Sequence, residues 1–316
     1  MTRIKRLLAA IALSTVLMSC GSDTGGSAGI TSQSEAPASV EAKGQRENTV
    51  KVLKPEASGV TVYTNGEVSI DASNAAEGYV MVSYSGDSKK VRMLIETPAQ
   101  NQYNYLMDLD GQYDVYPLSE GSGVYKIGVY ENLHDDQYSV AFSQSITVQL
   151  KDDTSAFLYP NAYVNFNSSS KAVAKAKELA EGCDNDIDVV ENVYHYLAKN
   201  ISYDYDKAKN VQSGYIPVVD ETLATGEGIC FDYASLMGAM LRSQGIPTRL
   251  EIGYAGTEYH AWVSVYIKDK GWIDDIIEFD GKSWRLMDPT LASYAKKSKI
   301  KEHMQSDTYY QLQYKY

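Results

Sequence analysis

The stretch Gly226-Glu227-Gly228-Ile229-Cys230-Phe231-Asp232-Tyr233-Ala234-Ser235-Leu236 decides how this chain is read. Two glycines lead to a cysteine, and an amphipathic helix opens close to it. Phe231, Ala234, Leu236, Met237, Met240 and Leu241 supply its buried side, and Gly245 stands where a C-terminal cap belongs. The glycines allow close backbone approach at the thiol. A helix N-terminus stabilises a thiolate through its unpaired amides and dipole, and those amides also suit the oxyanion of a tetrahedral intermediate. Taken alone, a cysteine beside an apolar helix is more often a small buried hydrophobe.

Two further stretches bear on that cysteine. In Glu258-Tyr259-His260-Ala261-Trp262-Val263-Ser264-Val265-Tyr266, alternation puts His260, Trp262, Ser264 and Tyr266 on one face of a strand and Ala261, Val263, Val265 and Ile267 on the other. His260 heads that strand, where an imidazole can reach a cleft, take a thiol proton and return it to a leaving amine. A half-exposed strand histidine is the plainer reading. In Ser283-Trp284-Arg285-Leu286-Met287-Asp288-Pro289-Thr290, Asp288 ends a strand and Pro289 stops the ladder. A carboxylate there suits holding a histidine tautomer, but Asp before Pro is also an ordinary turn former.

The combination is more specific than its parts. Gly-Ile-Cys-Phe-Asp-Tyr-Ala, then Gly245-Ile246-Pro247-Thr248-Arg249, then Tyr259-His260-Ala261-Trp262-Val263, then Trp284 to Thr290 resemble, in that order, the bacterial transglutaminase-like superfamily domain with its papain-like fold. The likeness covers about residues 170–292. It implies a catalytic triad of Cys230 as nucleophile, His260 as base and Asp288 as orienting carboxylate, and acyl chemistry on an amide through a thioester. It leaves open a transamidase, a protease, an amidase or a non-catalytic relative. Tyr203, in Asn200-Ile201-Ser202-Tyr203-Asp204, is the side chain considered as an oxyanion donor.

The fold expected for this region is α+β. Lys171 to Ala180 reads as a helix ending at Gly182. A second helix begins with Asp184 as N-cap and buries Ile187, Val190, Tyr194, Leu197 and Ile201. Strands follow at Arg249–Tyr254, Ala261–Ile267 and Trp284–Met287. Residues 49–151 are different: short Val-, Ile- and Tyr-rich runs separated by Gly, Asp, Ser and Asn clusters predict an all-β, immunoglobulin-like antiparallel sandwich. The predicted division is therefore a sandwich at 49–151 and a transglutaminase-like domain at 160–316. Tyrosine is over-used, 26 against 5 Phe, which suits half-exposed strands and binding surfaces.

Arg3, Lys5 and Arg6 precede a short apolar run, Leu7 to Val16, and then Leu17-Met18-Ser19-Cys20. The run is shorter than the roughly 20 residues a membrane-spanning helix needs, so residues 1–19 read as a signal peptide. The Ser-Cys step resembles the lipobox of bacterial lipoproteins and implies lipidation of Cys20, hence a membrane-anchored protein facing the extracytoplasmic side. An ordinary secreted protein with an incidental cysteine is the alternative. Residues 20–48, rich in Ser, Gly, Ala, Glu and Thr, read as a disordered tether.

Cleavage before Cys20 takes three basic residues and no acidic one, moving the formal charge from -12 to -15. So acidic a chain is a poor partner for nucleic acid. Cys183 and Cys230 form either one disulfide or at least one free thiol. Neither they nor His134, His195 and His303 show metal-ligand spacing, so no metal or cofactor is expected. The expected function is an extracytoplasmic cysteine hydrolase or acyltransferase acting on a protein or peptide, including cell-envelope peptides. The alternative is a catalytically silent peptide- or envelope-binding scaffold with the same fold.

Overall fold

Period-two alternation builds the N-terminal half. Its strands are β1 (Val62–Thr64), β2 (Val68–Asp71), β3 (Tyr79–Tyr84), β4 (Val91–Glu96), β5 (Gln102–Leu106), β6 (Asp114–Pro117), β7 (Gly123–His134) and β8 (Gln137–Val148). They form two four-stranded antiparallel sheets, ordered β1-β2-β3-β6 and β5-β4-β7-β8. In β4, Val91, Met93 and Ile95 are buried while Arg92, Leu94 and Glu96 are only half-buried. Inward residues of both sheets join one core. The computed structural model describes residues 44–273, 277–279, 284–286 and 310–316; the signal-peptide stretch, Cys20 and Asp288 lie outside the described residues.

Beyond the connection at 149–170 the helical period takes over: α1 (Lys171–Leu179), α2 (Asp186–Asn200), the two-residue strand β9 (Ser202–Tyr203), α3 (Tyr205–Asn210), α4 (Val219–Thr225), β10 (Glu227–Gly228) and α5 (Cys230–Arg242). The remaining strands are β11 (Thr248–Ala255), β12 (Glu258–Ile267), β13 (Gly271–Ile273), the hairpin β14 (Ile277–Phe279) and β15 (Trp284–Leu286), and β16 (Tyr310–Lys315). One antiparallel sheet has the order β13-β12-β11-β16. Helix α5 is buried at every residue from Asp232 to Arg242 and packs against α1, α2, α4, β11 and β12. Gly245, at φ 75°, follows its last turn in the left-handed conformation that glycine tolerates.

The structure departs from the sequence reading at several points. Helix α2 is capped by Asn185, whose side chain accepts the amides of Ile187 at 2.9 Å and Asp188 at 3.2 Å; Asp184 instead donates its own amide to Asp188. Its buried face is Val189, Val190, Val193, Tyr194 and Leu197, with Ile187 only half-buried, because α2 is covered from a slightly rotated direction. The end of the stretch read as a tether, and the start of the stretch read as a sandwich, are attached to the C-terminal half. Arg46 pairs with Asp186 at 2.6 Å and donates to the Gln244 carbonyl at 2.8 Å, and the Lys51 amide reaches the Ser243 carbonyl at 2.8 Å.

Many tyrosines are core residues, not surface ones. Tyr103, Tyr105, Tyr116, Tyr125, Tyr194 and Tyr233 are all fully buried. Burial is tolerated where the hydroxyl finds a partner: Tyr103 donates to Glu120 at 2.5 Å, Tyr125 to the Gly121 carbonyl at 2.8 Å and Tyr233 to the Ile201 carbonyl at 2.5 Å. Several tyrosines join the halves. Tyr105 meets Tyr163 at 5.3 Å between ring centroids, and Tyr103 meets Tyr314 at 5.3 Å and Tyr316 at 5.4 Å. Lys315 adds an ion pair to Glu120 at 3.2 Å. Both halves accordingly fall in one unit.

Candidate active site

The site begins where β10 runs into α5. Short strands β9 and β10 pair in parallel, placing Ser202 opposite Glu227 and Tyr203 opposite Gly228. Ile229 is the extended residue before the helix, and Cys230 is the first helical residue. Isoleucine has no side-chain acceptor for the first-turn amides. Asp232 compensates in part, since its carboxylate reaches back to accept the Ile229 amide at 2.8 Å. A side chain at position 228 would bring its Cβ within 2.7 Å of the Asp232 Cβ, so glycine there is a packing requirement.

Asp232 is fully buried, and two further groups satisfy it. Lys207 of α3 stands 2.8 Å away, and the Tyr215 hydroxyl donates to the other carboxylate oxygen. Lys207 also donates to the Tyr215 hydroxyl at 2.6 Å. Burial, then the bond to Asp232, pushes the Tyr215 phenol up to about 12. A cavity of about 500 Å³ opens beside this group, lined by Lys207 and residues 210–215. Leu106, at the end of β5, backs that loop: a Cβ on Gly214 would stand 3.0 Å from its methyl.

Both cysteines described are free thiols, so no bridge masks Cys230. They differ in setting. Cys183 is buried, accepts from the Asn192 amide at 3.3 Å, and burial followed by the Asp188 charge pushes its thiol up. Cys230 is half-exposed. Its neighbour Phe231 packs edge-on against Tyr163, at 5.3 Å between centroids.

Strand β12 begins two residues earlier than the sequence reading placed it, so His260 is its third residue, opposite Gly253; it is 8% exposed and lies nearly parallel to Trp262 with centroids 6.4 Å apart. On the other side of the strand, Ala261, Val263, Val265 and Ile267 enter the core that α5 shares. Tyr259, next to His260 in the chain, lies in the field of the thiol: desolvation, then Tyr314, Tyr254 and Cys230, raise its phenol above the usual value. Helix α5, which starts at Cys230, and strand β12, which carries His260, pack directly on one another. Tyr203 lies across the β9–β10 pair from Gly228, two residues before the thiol. Asp288 lies outside the described residues.

The residues that sequence reasoning left without a role are Lys207, Tyr215, Asp232 and Tyr259. Asp232 carried a readable signal, an acid in the first turn of a helix whose N-cap side chain cannot accept a hydrogen bond. The partners of Asp232 carried none, being fixed by folding alone.

Comparison with known proteins bears on the family of this region. Residues 173–274 match the Transglutaminase-like superfamily. Over 120 residues the chain is 34% identical to a UPF0252 protein of Methanocaldococcus jannaschii, covering 33% of this chain and 34% of that protein. Over 201 residues it is 25% identical to the uncharacterized protein YebA of Bacillus subtilis, covering 53% of this chain and 26% of that one. The matches therefore span about a third or less of these relatives' lengths. Among solved structures, a candidate cysteine protease from Cytophaga hutchinsonii superposes with a TM-score of 0.35 at 16% identity, over 68% of this chain and 67% of that one. A candidate protease from Parabacteroides distasonis gives 0.29 at 13% identity, over 66% and 62%. Residues 173–274, with Cys230 at the head of their buried helix, are a transglutaminase-like domain.

Proposed function

We propose that this chain is an extracytoplasmic thiol enzyme, held to a membrane by lipid on Cys20, that attacks amides of proteins or peptides, cell-envelope peptides among them. The observation that carries the reading is the placement of Cys230. It is a free, half-exposed thiol on the first residue of a buried helix, within the residues that match the superfamily. In this reading His260 takes the thiol proton as the sulfur bonds to the amide carbonyl carbon. It returns that proton to the amine as the C–N bond breaks, and Asp288 orients the imidazole. The thioester left on Cys230 is then opened by water, giving hydrolysis, or by a second amine, giving transamidation. The first-turn amides of α5 and the hydroxyl of Tyr203 are the oxyanion donors assigned. The sheet-rich half is read as an immunoglobulin-like spacer or binding module.

Iodoacetamide labelling near neutral pH tests the reading. Cys230 is expected to label at least tenfold faster than Cys183, and Cys230→Ala to abolish turnover and thioester trapping. Equal, slow labelling of both thiols refutes it. Product masses with and without added amine separate hydrolysis from transamidation.

A further inference from the structure

The group around Asp232 poses an electrostatic problem. Because Ile229 offers no side-chain cap, the first turn of α5 depends on a buried carboxylate two residues from the thiol. A negative charge buried in the same first turn, unless it is neutralised, disfavours a second one on sulfur. We propose that Lys207 is the positioning residue that resolves this conflict: its ammonium neutralises Asp232, so the carboxylate fastens the head of α5 without opposing the thiolate. The inference rests on Cys230 being the nucleophile and adds the device that keeps the sulfur chemically competent.

Lys207 is built into place. Its amide donates to the Asp204 side chain at 2.8 Å, which caps α3, and the Asp204 amide donates to the Gly228 carbonyl at 3.0 Å. The lysine backbone is therefore pinned to the same β9–β10 pair that delivers Cys230. Tyr215 closes the triangle, its ring lying 4.3 Å below the ammonium. Burial alone lowers Lys207, yet its bonds to Asp232 and Tyr215 carry it above the usual lysine value. The ammonium thus stays charged wherever a thiolate is useful. The other ionisable groups around it are Asp204, which caps α3, Tyr203 on β9, Glu227 on β10, and Tyr259 of β12, which shares the field of the thiol. All are retained in the variants below.

The test is the pH profile of Cys230 alkylation in the full chain, read by peptide mass with Cys183 as internal reference. Lys207→Met is expected to slow labelling about tenfold at pH 6.5 and to leave the rate at pH 9.5 unchanged, because uncompensated charge acts only on thiolate formation. Lys207→Arg keeps the charge and is expected to keep the wild-type rate. Lys207→Met with Asp232→Asn removes both charges and is expected to return within about threefold of wild type. Asp232→Asn alone leaves the Lys207 charge unopposed and is expected to label faster at pH 6.5; Lys207→Gln, likewise uncharged, carries the same expectations as Lys207→Met and decides the matter if that variant does not fold. The proposal is overturned if Lys207→Met matches wild type throughout, if it is slowed equally at both pH values, or if the double variant is no faster than the single one. Wild-type Cys230 labelling no faster than Cys183 overturns the nucleophile assignment itself, an outcome distinct from fast wild-type labelling that ignores Lys207.

Discussion

Tyr105 on β5 and Tyr163 in the connection stand with ring centroids 5.3 Å apart, and Tyr163 packs in turn against Phe231, beside Cys230. A continuous aromatic contact therefore runs from the sheet-rich half to the residue next to the thiol. Removing the middle ring is expected to loosen both ends. Tyr163→Ala should lower unfolding free energy by about 2–4 kcal/mol, as for other large aromatic deletions. It should also reduce amide turnover beyond any loss of folded protein. Denaturant titration with parallel rate measurements on the folded fraction checks this; a stability loss with unchanged turnover would show that the seam does not support the site.

Tyr105 offers the opposite experiment. Its hydroxyl is buried and makes no hydrogen bond among the described residues, while its ring packs against Tyr116 at 4.8 Å and Tyr316 at 5.7 Å. Tyr105→Phe keeps the ring contacts and deletes an unsatisfied polar atom. It should stabilise the protein by about 1 kcal/mol, read as a higher urea midpoint at constant slope.

Alkaline pH should unfold this protein through its tyrosines. Burial raises Tyr103, Tyr105, Tyr116 and Tyr316, and pushes Tyr163 up to about 12. The folded state keeps these protons where the unfolded chain, with phenols near pH 10, releases them. The stability they contribute is therefore fully present below about pH 10 and is lost as pH rises toward the folded-state values. Urea midpoints should be level from pH 8 to 9.5 and fall above 10. Phenolate absorbance should rise in two stages, the second coinciding with unfolding.

Asn185 should matter more than its neighbour. Asn185→Ala removes the acceptor for two first-turn amides of α2 and should cost about 1 kcal/mol. Asp184→Ala should cost less, since among the described residues the Asp184 carboxylate accepts the Gln45 amide, at 3.2 Å, and no amide of α2. Thermal or urea melts of the two variants compare them directly, and equal losses would count against the cap assignment.

Gly228→Ala should act at the site through packing. The added methyl meets the Asp232 Cβ at 2.7 Å, so the bond that fastens the head of α5 must shift. We expect a loss of about 1–3 kcal/mol, as for overpacking elsewhere, and slower Cys230 labelling. Urea unfolding and alkylation rates measure the two effects separately.

What the sequence determined was local in origin. Alternating Val, Ile and Tyr set the strands of the first half, and the three-to-four spacing after Cys230 set α5 with Gly245 past its end, because side-chain period and terminal residues act over a few positions. Cys230 at a helix head and His260 within a strand were legible for the same reason, although that strand starts two residues before His260. Which partner each polar group finds was decided by tertiary structure. Lys207 and Tyr215 reach Asp232 from other stretches of chain, Arg46 reaches Asp186 and Gln244, and tyrosines that looked like surface residues are buried. Such pairings carry no period. They arise because a buried polar atom must be satisfied by whatever group packing delivers to it.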